Sequence, residues 1–342
     1  MMMKALFIGG TGTISAAIVR RLVNELGWEV WLLNRGNRPG AVPEGAHTII
    51  ADIGDEADVL RKLGDMTFDC VCEFIGFTPD QVARDYRLFR GRTRQYIYTS
   101  SASAYHKPAA SYVVTEGTTL ANPHWEYSRN KIACEEFLMK VYREEGFPVT
   151  IVRPSHTYDE RSVPLGVHGK NGSWQVIRRM LDGKPVIIQG DGTSLWTMTF
   201  NTDFAIGYTG LMGNRHAIGE AFQITGDETL TWDQVYQTVA DALGKPLKAY
   251  HVAADFLAET GKKYGYDYAG ELLGDKSVSV VFDNRKLTRA VPNMKTTVPF
   301  HAGVQKALRY IAEHPECQRE DPDFDAYCDK VIAALEKAKE SL

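Results

Sequence analysis

The sequence predicts an α/β protein: a doubly wound parallel sheet followed by a smaller α/β lobe. Three observations carry this. Short apolar runs alternate with helical patterns over residues 1–154. The runs are continuously apolar, as strands covered on both faces are. A glycine-rich turn, Gly9-Gly10-Thr11-Gly12, separates the first run from the first helix.

The elements follow in order. Ala5–Ile8 is a short buried strand. Ile14, Ala17, Ile18, Leu22 and Leu26 recur at helical spacing. Strands are expected at Glu29–Leu33, His47–Ala51, Asp69–Ile75, Gln95–Thr99 and Val149–Val152. Helices are expected at Glu56–Leu63, Pro79–Phe89 and Trp125–Glu145. Strands alternating with helices read as βαβ units. After Arg153 the rhythm loosens. Tyr158–Trp174 reads as a loop, Trp174–Leu181 as a helix, Val186–Ile188 as a strand and Gly190–Ser194 as a turn. Thr231–Leu243 starts a helix with Trp232, Val235, Tyr236 and Val239 on one face. Phe324–Leu342 is a charged amphipathic helix. The expected division is a nucleotide domain over 1–154, with 195–220 packing back on it. A substrate lobe takes 155–194 and 221–315, and 316–342 form a helical tail.

Composition narrows the class. The chain has 342 residues, 44% hydrophobic and 24% charged, which excludes collagen-like and disordered classes. A net charge of −4 argues against a uniformly basic nucleic-acid surface. No run approaches the roughly 20 apolar residues of a membrane helix. Met1–Ile8 is too short for a secretory signal and runs straight into the glycine turn. The five cysteines are scattered, and Cys70-x-Cys72 on a strand points both thiols to one face. Buried thiols and a reducing, cytoplasmic setting are expected.

The segment Phe7-Ile8-Gly9-Gly10-Thr11-Gly12-Thr13-Ile14-Ser15 has the strand–turn–helix context of a dinucleotide fingerprint. Glycines admit a pyrophosphate, and the helix N-terminus offers amides and partial positive charge. The third small position is Ser15. A plain tight turn is the alternative. The second strand ends at Asn34-Arg35. An acidic residue there would take the ribose 2′-hydroxyl of NAD; an arginine favours the 2′-phosphate of NADP. Arg35 therefore favours NADP, against the alternative of a solvated turn. Asp52 either accepts from the adenine amino group or caps the next helix.

Tyr127-Ser128-Arg129-Asn130-Lys131 opens the long helix. Residues four apart share a face, so phenol and ammonium point the same way. A nearby cation lowers a tyrosine pKa and makes a general acid/base. Ser101, in Thr99-Ser100-Ser101-Ala102-Ser103, ends a strand that would bring a hydroxyl beside the phenol.

Together these residues resemble the extended short-chain dehydrogenase/reductase family of NAD(P)-dependent epimerases and dehydratases. The resemblance extends to about residue 310. It is similar in particular to a branch near chloroplast stem-loop RNA-binding proteins. It implies a Rossmann domain and hydride transfer on a sugar or sugar-derived alcohol or ketone. Tyr127 would be acid/base, Lys131 would hold the nicotinamide ribose, and Ser101 would bind the reacting oxygen. The cofactor contacts implied are Gly9, Thr11, Gly12, Thr13, Ile14, Asn34, Arg35, Asp52, Ile53, Lys131 and Pro154. Ser103, His156 and Trp196 are expected at the substrate. A homodimer through Pro79–Phe89 and Trp125–Glu145 is implied as well.

The departures bear on the substrate. Ala102-Ser103 stands where dehydratases of the family carry Asp-Glu, which disfavours dehydration. His156 replaces a common Asn, and Asp159-Glu160 a Gly-Pro. Thr193-Ser194-Leu195-Trp196 lacks an arginine that grips a nucleotide diphosphate in many relatives. No metal is expected, because His156, Asp159, Glu160 and His168 lack ligand spacing. His156 is equally a substrate contact or a structural histidine. Trp125, Trp174 and Trp196 line a sugar pocket or pack in a core. Arg84, Arg87, Arg90, Arg92 and Arg94 form either a solvated face or an RNA contact. The rival from another class is a non-catalytic nucleotide-sensing or RNA-binding protein.

Overall fold

A computed structural model describes residues 2–342. A seven-stranded sheet is built from strands between residues 4 and 224. Its strands are β1 (Lys4–Ile8), β2 (Glu29–Asn34), β3 (His47–Ile50), β4 (Cys70–Glu73), β5 (Tyr96–Thr99), β6 (Val149–Pro154) and β7 (Ala221–Ile224). They lie in the order β7-β6-β5-β4-β1-β2-β3, and every neighbouring pair is parallel. From β1 the chain winds outward through β2 and β3, then crosses back to β4 and winds the other way. That reversal opens a crevice at the C-terminal ends of β1 and β4, where such sheets bind ligands.

The helices of the first half are α1 (Thr13–Asn24), α2 (Glu56–Leu63), α3 (Pro79–Phe89) and α4 (Glu126–Glu145). Those of the second are α5 (Trp174–Leu181), α6 (Asn201–Leu211), α7 (Trp232–Ala242), α8 (Ala254–Gly261), α9 (Arg285–Ala290), α10 (Phe300–Glu313) and α11 (Pro322–Glu340). One sheet face is covered by α1, α6 and α9, through Ile18, Leu22, Phe204, Tyr208 and Leu287. The other is covered by α2, α3 and α4, through Val59, Val82, Leu88, Cys134 and Leu138. Burial on both faces explains the unbroken apolar strands. Cys70 and Cys72 fall in one core layer, and burial pushes the Cys70 thiol up to about 12.

Local signals set the helix ends. Thr78 and Gln81 form a capping box at α3, with Pro79 in the first turn, where its missing N–H costs nothing. The left-handed Gly146 closes α4. The remaining helices gather around a separate core that includes Trp196, Trp232, Tyr236, Val304 and Tyr327. Arg179 joins α5 to α11 by ion pairs to Asp325 at 2.7 Å and Asp329 at 2.8 Å.

Two expectations change. Residues 221–224, placed in the lobe by the sequence, are the seventh strand of the sheet, paired with β6 from Ala221↔Ile151 to Ile224↔Pro154. Residues 269–276, given no element from sequence, form a π-helix. Its period matches no apolar template, so the pattern was silent.

Candidate active site

The glycine turn forms the crevice floor. Gly9 has φ +87°, and a Cβ there would meet Ile75 Cγ2 at 2.6 Å. At Gly10 a Cβ would meet Leu32 Cδ2 at 2.4 Å. Both positions therefore need glycine. Ser15 accepts the Gly12 N–H at 3.0 Å and donates to the Gly9 carbonyl at 2.8 Å, so its hydroxyl closes the loop where a third glycine was missing. A Cβ on Gly12 would meet only Ser15 Oγ, at 3.5 Å.

This crevice fits a dinucleotide. The α1 N-terminus presents its first amides beside open space at Gly12, the chemistry a diphosphate takes. Asn34 Nδ2, Thr99 Oγ1 and Ser100 Oγ are buried without partners among the described residues, along the same edge of the sheet. Asn34 Oδ1 accepts the Gly36 N–H at 2.8 Å, and Arg35 is exposed. Of the two roles open to Asp52, capping goes instead to Asp55, which accepts from Asp58 N at 3.0 Å. Asp52 accepts from Gly54 N at 2.8 Å and is exposed, with Ile53 buried beside it.

The end of β5 and the first two turns of α4 bring Ser101, Tyr127 and Lys131 together. The Ser101 hydroxyl lies beside the Tyr127 phenol and lowers its pKa, against burial, which raises it more. Lys131 donates to the carbonyls of Gly76 at 2.9 Å and Thr99 at 2.8 Å. Burial brings its pKa down to about 8. Its ammonium is 5.8 Å from the Tyr127 ring centroid. The depression expected from Lys131 is absent in this geometry: desolvation raises the phenol, and Ser101 is the group that lowers it. Ser103, expected at the substrate, is buried and spent internally: its Oγ lies 2.9 Å from Ser101 Oγ and 2.7 Å from Ser128 Oγ. These bonds tie Ser103 to Ser101 and to the first turn of α4.

Arg153 lies beneath, with Pro154 ending β6. It pairs with buried Glu135 at 2.6 Å and donates to Tyr105 Oη at 3.2 Å. Glu135 and Tyr105 raise its pKa against the penalty of burial.

The π-helix roofs this site and brings residues the sequence did not single out. Lys107 and Asp275 pair at 3.6 Å, and Lys276 meets Glu271 at 3.0 Å. The Lys107 ammonium stands 5.4 Å over the Trp196 ring. His156 joins this group: burial, with Lys276 and His168 near, brings its pKa down to about 3. It is neutral at ordinary pH. The π-helix can sit this close because a Cβ at Gly270 would meet Trp125 Cδ1 at 2.2 Å. The only sequence signal was that pair of glycines, Gly270 and Gly274, facing an aromatic far away in the chain.

The other candidates separate. Trp125 packs on Tyr127 with centroids 4.9 Å apart, Trp196 is buried against Trp232, and Trp174 lines a cavity beside Gly12. Among the described residues, no three His, Cys, Asp or Glu side chains converge as metal ligands. Each arginine of the run is engaged. Arg84 pairs with Asp85, Arg87 with Glu56, Arg90 with Glu145 and Arg94 with Asp69, while Arg92 donates to the Gly64 carbonyl. No described helix is long and apolar enough to cross a membrane.

Known proteins resemble this chain in sequence and in fold. The 2′-dehydrokanamycin reductase of Streptomyces kanamyceticus is 26% identical over 75% of this chain and 71% of its own. A chloroplast stem-loop binding protein of Arabidopsis thaliana is 28% identical over 71% of this chain and 64% of its own. An epimerase structure from Methanothermobacter thermautotrophicus shares the fold, with TM-score 0.74 at 16% identity, covering 93% of this chain and 94% of that one. The model of the NAD dependent epimerase/dehydratase family matches residues 5–225, well over half of the sequence, and the chain belongs to that family.

Proposed function

We propose that the protein transfers hydride between NAD(P) and a secondary alcohol or ketone of a sugar or sugar-derived substrate. The observation that carries this reading is the convergence of Ser101, Tyr127 and Lys131 at the crevice edge, under a roof of charged side chains. The nicotinamide, when bound, supplies the hydride acceptor or donor. Tyr127 gives or takes the proton at the substrate oxygen. Ser101 holds that oxygen and the phenol together. Lys131 has its ammonium directed at the crevice edge by two carbonyls, and is assigned to the nicotinamide ribose. Gly9, Thr11, Gly12, Thr13 and Ile14 are assigned to the diphosphate. Asn34, Arg35, Asp52 and Ile53 are assigned to the adenosine end, with Arg35 favouring NADP. Trp196 and His156 are assigned to the substrate pocket, in the lobe outside the sheet.

A relative named a reductase and relatives named epimerases both fit this chemistry. In the reductase cycle the cofactor exchanges; in the epimerase cycle it stays. The RNA-binding alternative draws less support, since the arginine run spends its charge on neighbouring carboxylates and one carbonyl.

The test is the cofactor content of purified, denatured protein by absorbance and mass, with melting shifts on adding NAD or NADP. Retained cofactor supports the epimerase cycle. Empty protein stabilised by NADP supports the exchanging reductase. Neither cofactor nor shift overturns the reading.

A further inference from the structure

Arg161 reaches from the loop after β6 to the glycine turn, where its Nη2 donates to Thr13 Oγ1 at 3.0 Å. Its own loop fixes that pose. Nε donates to Asp159 Oδ2 at 2.8 Å, the Arg161 backbone N–H donates to Asp159 Oδ1 at 3.0 Å, and Asp159 is buried. Asn201 takes the same turn from α6, its Nδ2 donating to the Thr13 carbonyl at 3.1 Å. Asn201 is 1% exposed, yet its Oδ1 has no partner among the described residues.

Around Arg161, Asp159 and Thr13 opens a cavity of about 650 Å³ between the turn and the lobe. Gly12, Thr13, Arg38, Arg161 and Arg319 lie on its wall. Of its two carboxylates, Asp159 is paired with Arg161, and Glu316 lies within hydrogen-bond distance of His314 Nδ1, at 2.9 Å. Arg38 and Arg319 are exposed and leave the wall with surplus positive charge. A cavity that joins open space at Gly12 to a surplus of guanidinium suits a ligand with more than one negative charge.

We propose that Arg161 is a diphosphate ligand delivered by the substrate lobe, closing over a dinucleotide seated on Gly12 and Thr13. This rests on the cofactor reading above and deepens it. The guanidinium fork has five donors, and its contacts with Asp159 and Thr13 use only Nε and Nη2. Pinned by Asp159, it is preorganised, so little side-chain entropy is lost when an anion arrives. The dinucleotide is then gripped by both halves of the molecule, and leaving requires Arg161 to release it.

The test is calorimetric titration of NAD, NADP and ADP-ribose into the protein and its R161A and R161K variants, with melting temperatures of each apoprotein. Loss of a charge-assisted contact predicts that R161A binds all three about tenfold more weakly or worse, by one common factor. NAD should dissociate faster by a similar factor. R161K should recover part of the affinity. R161A binding ADP-ribose as the wild type does, whether or not its apoprotein melts lower, would make Arg161 a strut between the halves and overturn the proposal. Failure of the wild type to bind any of the three would overturn the cofactor reading itself, and this inference with it.

Discussion

Asn122 and Gly274, far apart in sequence, are joined by a single side-chain amide. Asn122 Nδ2 donates to the Gly274 carbonyl at 2.7 Å and to the Ser103 carbonyl at 2.8 Å. One buried amide therefore fastens the π-helix to the turn that carries Ser101. Asn122→Ala leaves two buried carbonyls without that donor. A loss of about 1–3 kcal/mol in unfolding free energy is expected. Turnover should fall more than NAD affinity, because the roof loosens while the glycine turn is untouched. Denaturant melts and NAD titration check both. Unchanged stability would show that the fastening does not hold the roof.

Tyr127→Phe removes the proton donor and leaves the ring packing against Trp125 and Phe77. Cofactor affinity should stay within about threefold, while hydride transfer falls about 100-fold or more. Equilibrium binding and stopped-flow reduction of the bound cofactor separate the two. Undiminished transfer would remove Tyr127 from the chemistry.

Arg35 is exposed beside the end of β2. Arg35→Ala should weaken NADP about tenfold or more and NAD by less than about twofold, because only NADP carries the 2′-phosphate. Competitive titration measures both. Equal effects would sink the assignment. This selectivity differs from the common loss predicted for R161A.

Glu73 is fully buried at the end of β4, and burial together with Asp85 pushes its carboxyl well above its ordinary value of 4.5. The folded protein keeps Glu73 protonated where the unfolded chain would ionise it. The unfolded state then binds fewer protons, so this group's contribution to stability falls as pH rises above the unfolded value. Glu73→Gln removes the titration and keeps a donor towards Asp85. The variant should melt higher than wild type at pH 8, by about 2–4 °C for each kcal/mol gained. The gap should narrow towards pH 5. A constant gap across pH would show that Glu73 is not the group responsible.

The first half of the fold was legible because strand, turn and helix signals agreed locally. The glycine turn, the end of β2 and the Tyr127–Lys131 spacing each sit inside one short segment. What escaped was set by distant contacts. The strand at Ala221–Ile224 has the same apolar character as a lobe strand, and only pairing with β6 assigns it to the sheet. Lys107 carried no motif; its meaning comes from Asp275, brought alongside by an irregular helix. Ser103 is expected at the substrate only through the resemblance, and its hydrogen bonds to Ser101 and Ser128 come from the fold. Residue type was readable, and the identity of the partner was not.

The pairing of Ala221–Ile224 with Val149–Pro154 also orders the protein's birth. A nascent chain that has made six strands still shows an unpaired, apolar β6 edge until the seventh emerges some seventy residues later. Open edges of that kind template aggregation. Stalled or truncated products ending between these strands should be the sticky species in the cell, even where every residue of the nucleotide crevice is present. Residues 155–220, which include α5 and α6, have to be synthesised before the sheet can be sealed, and the rest of the lobe follows the sealing strand.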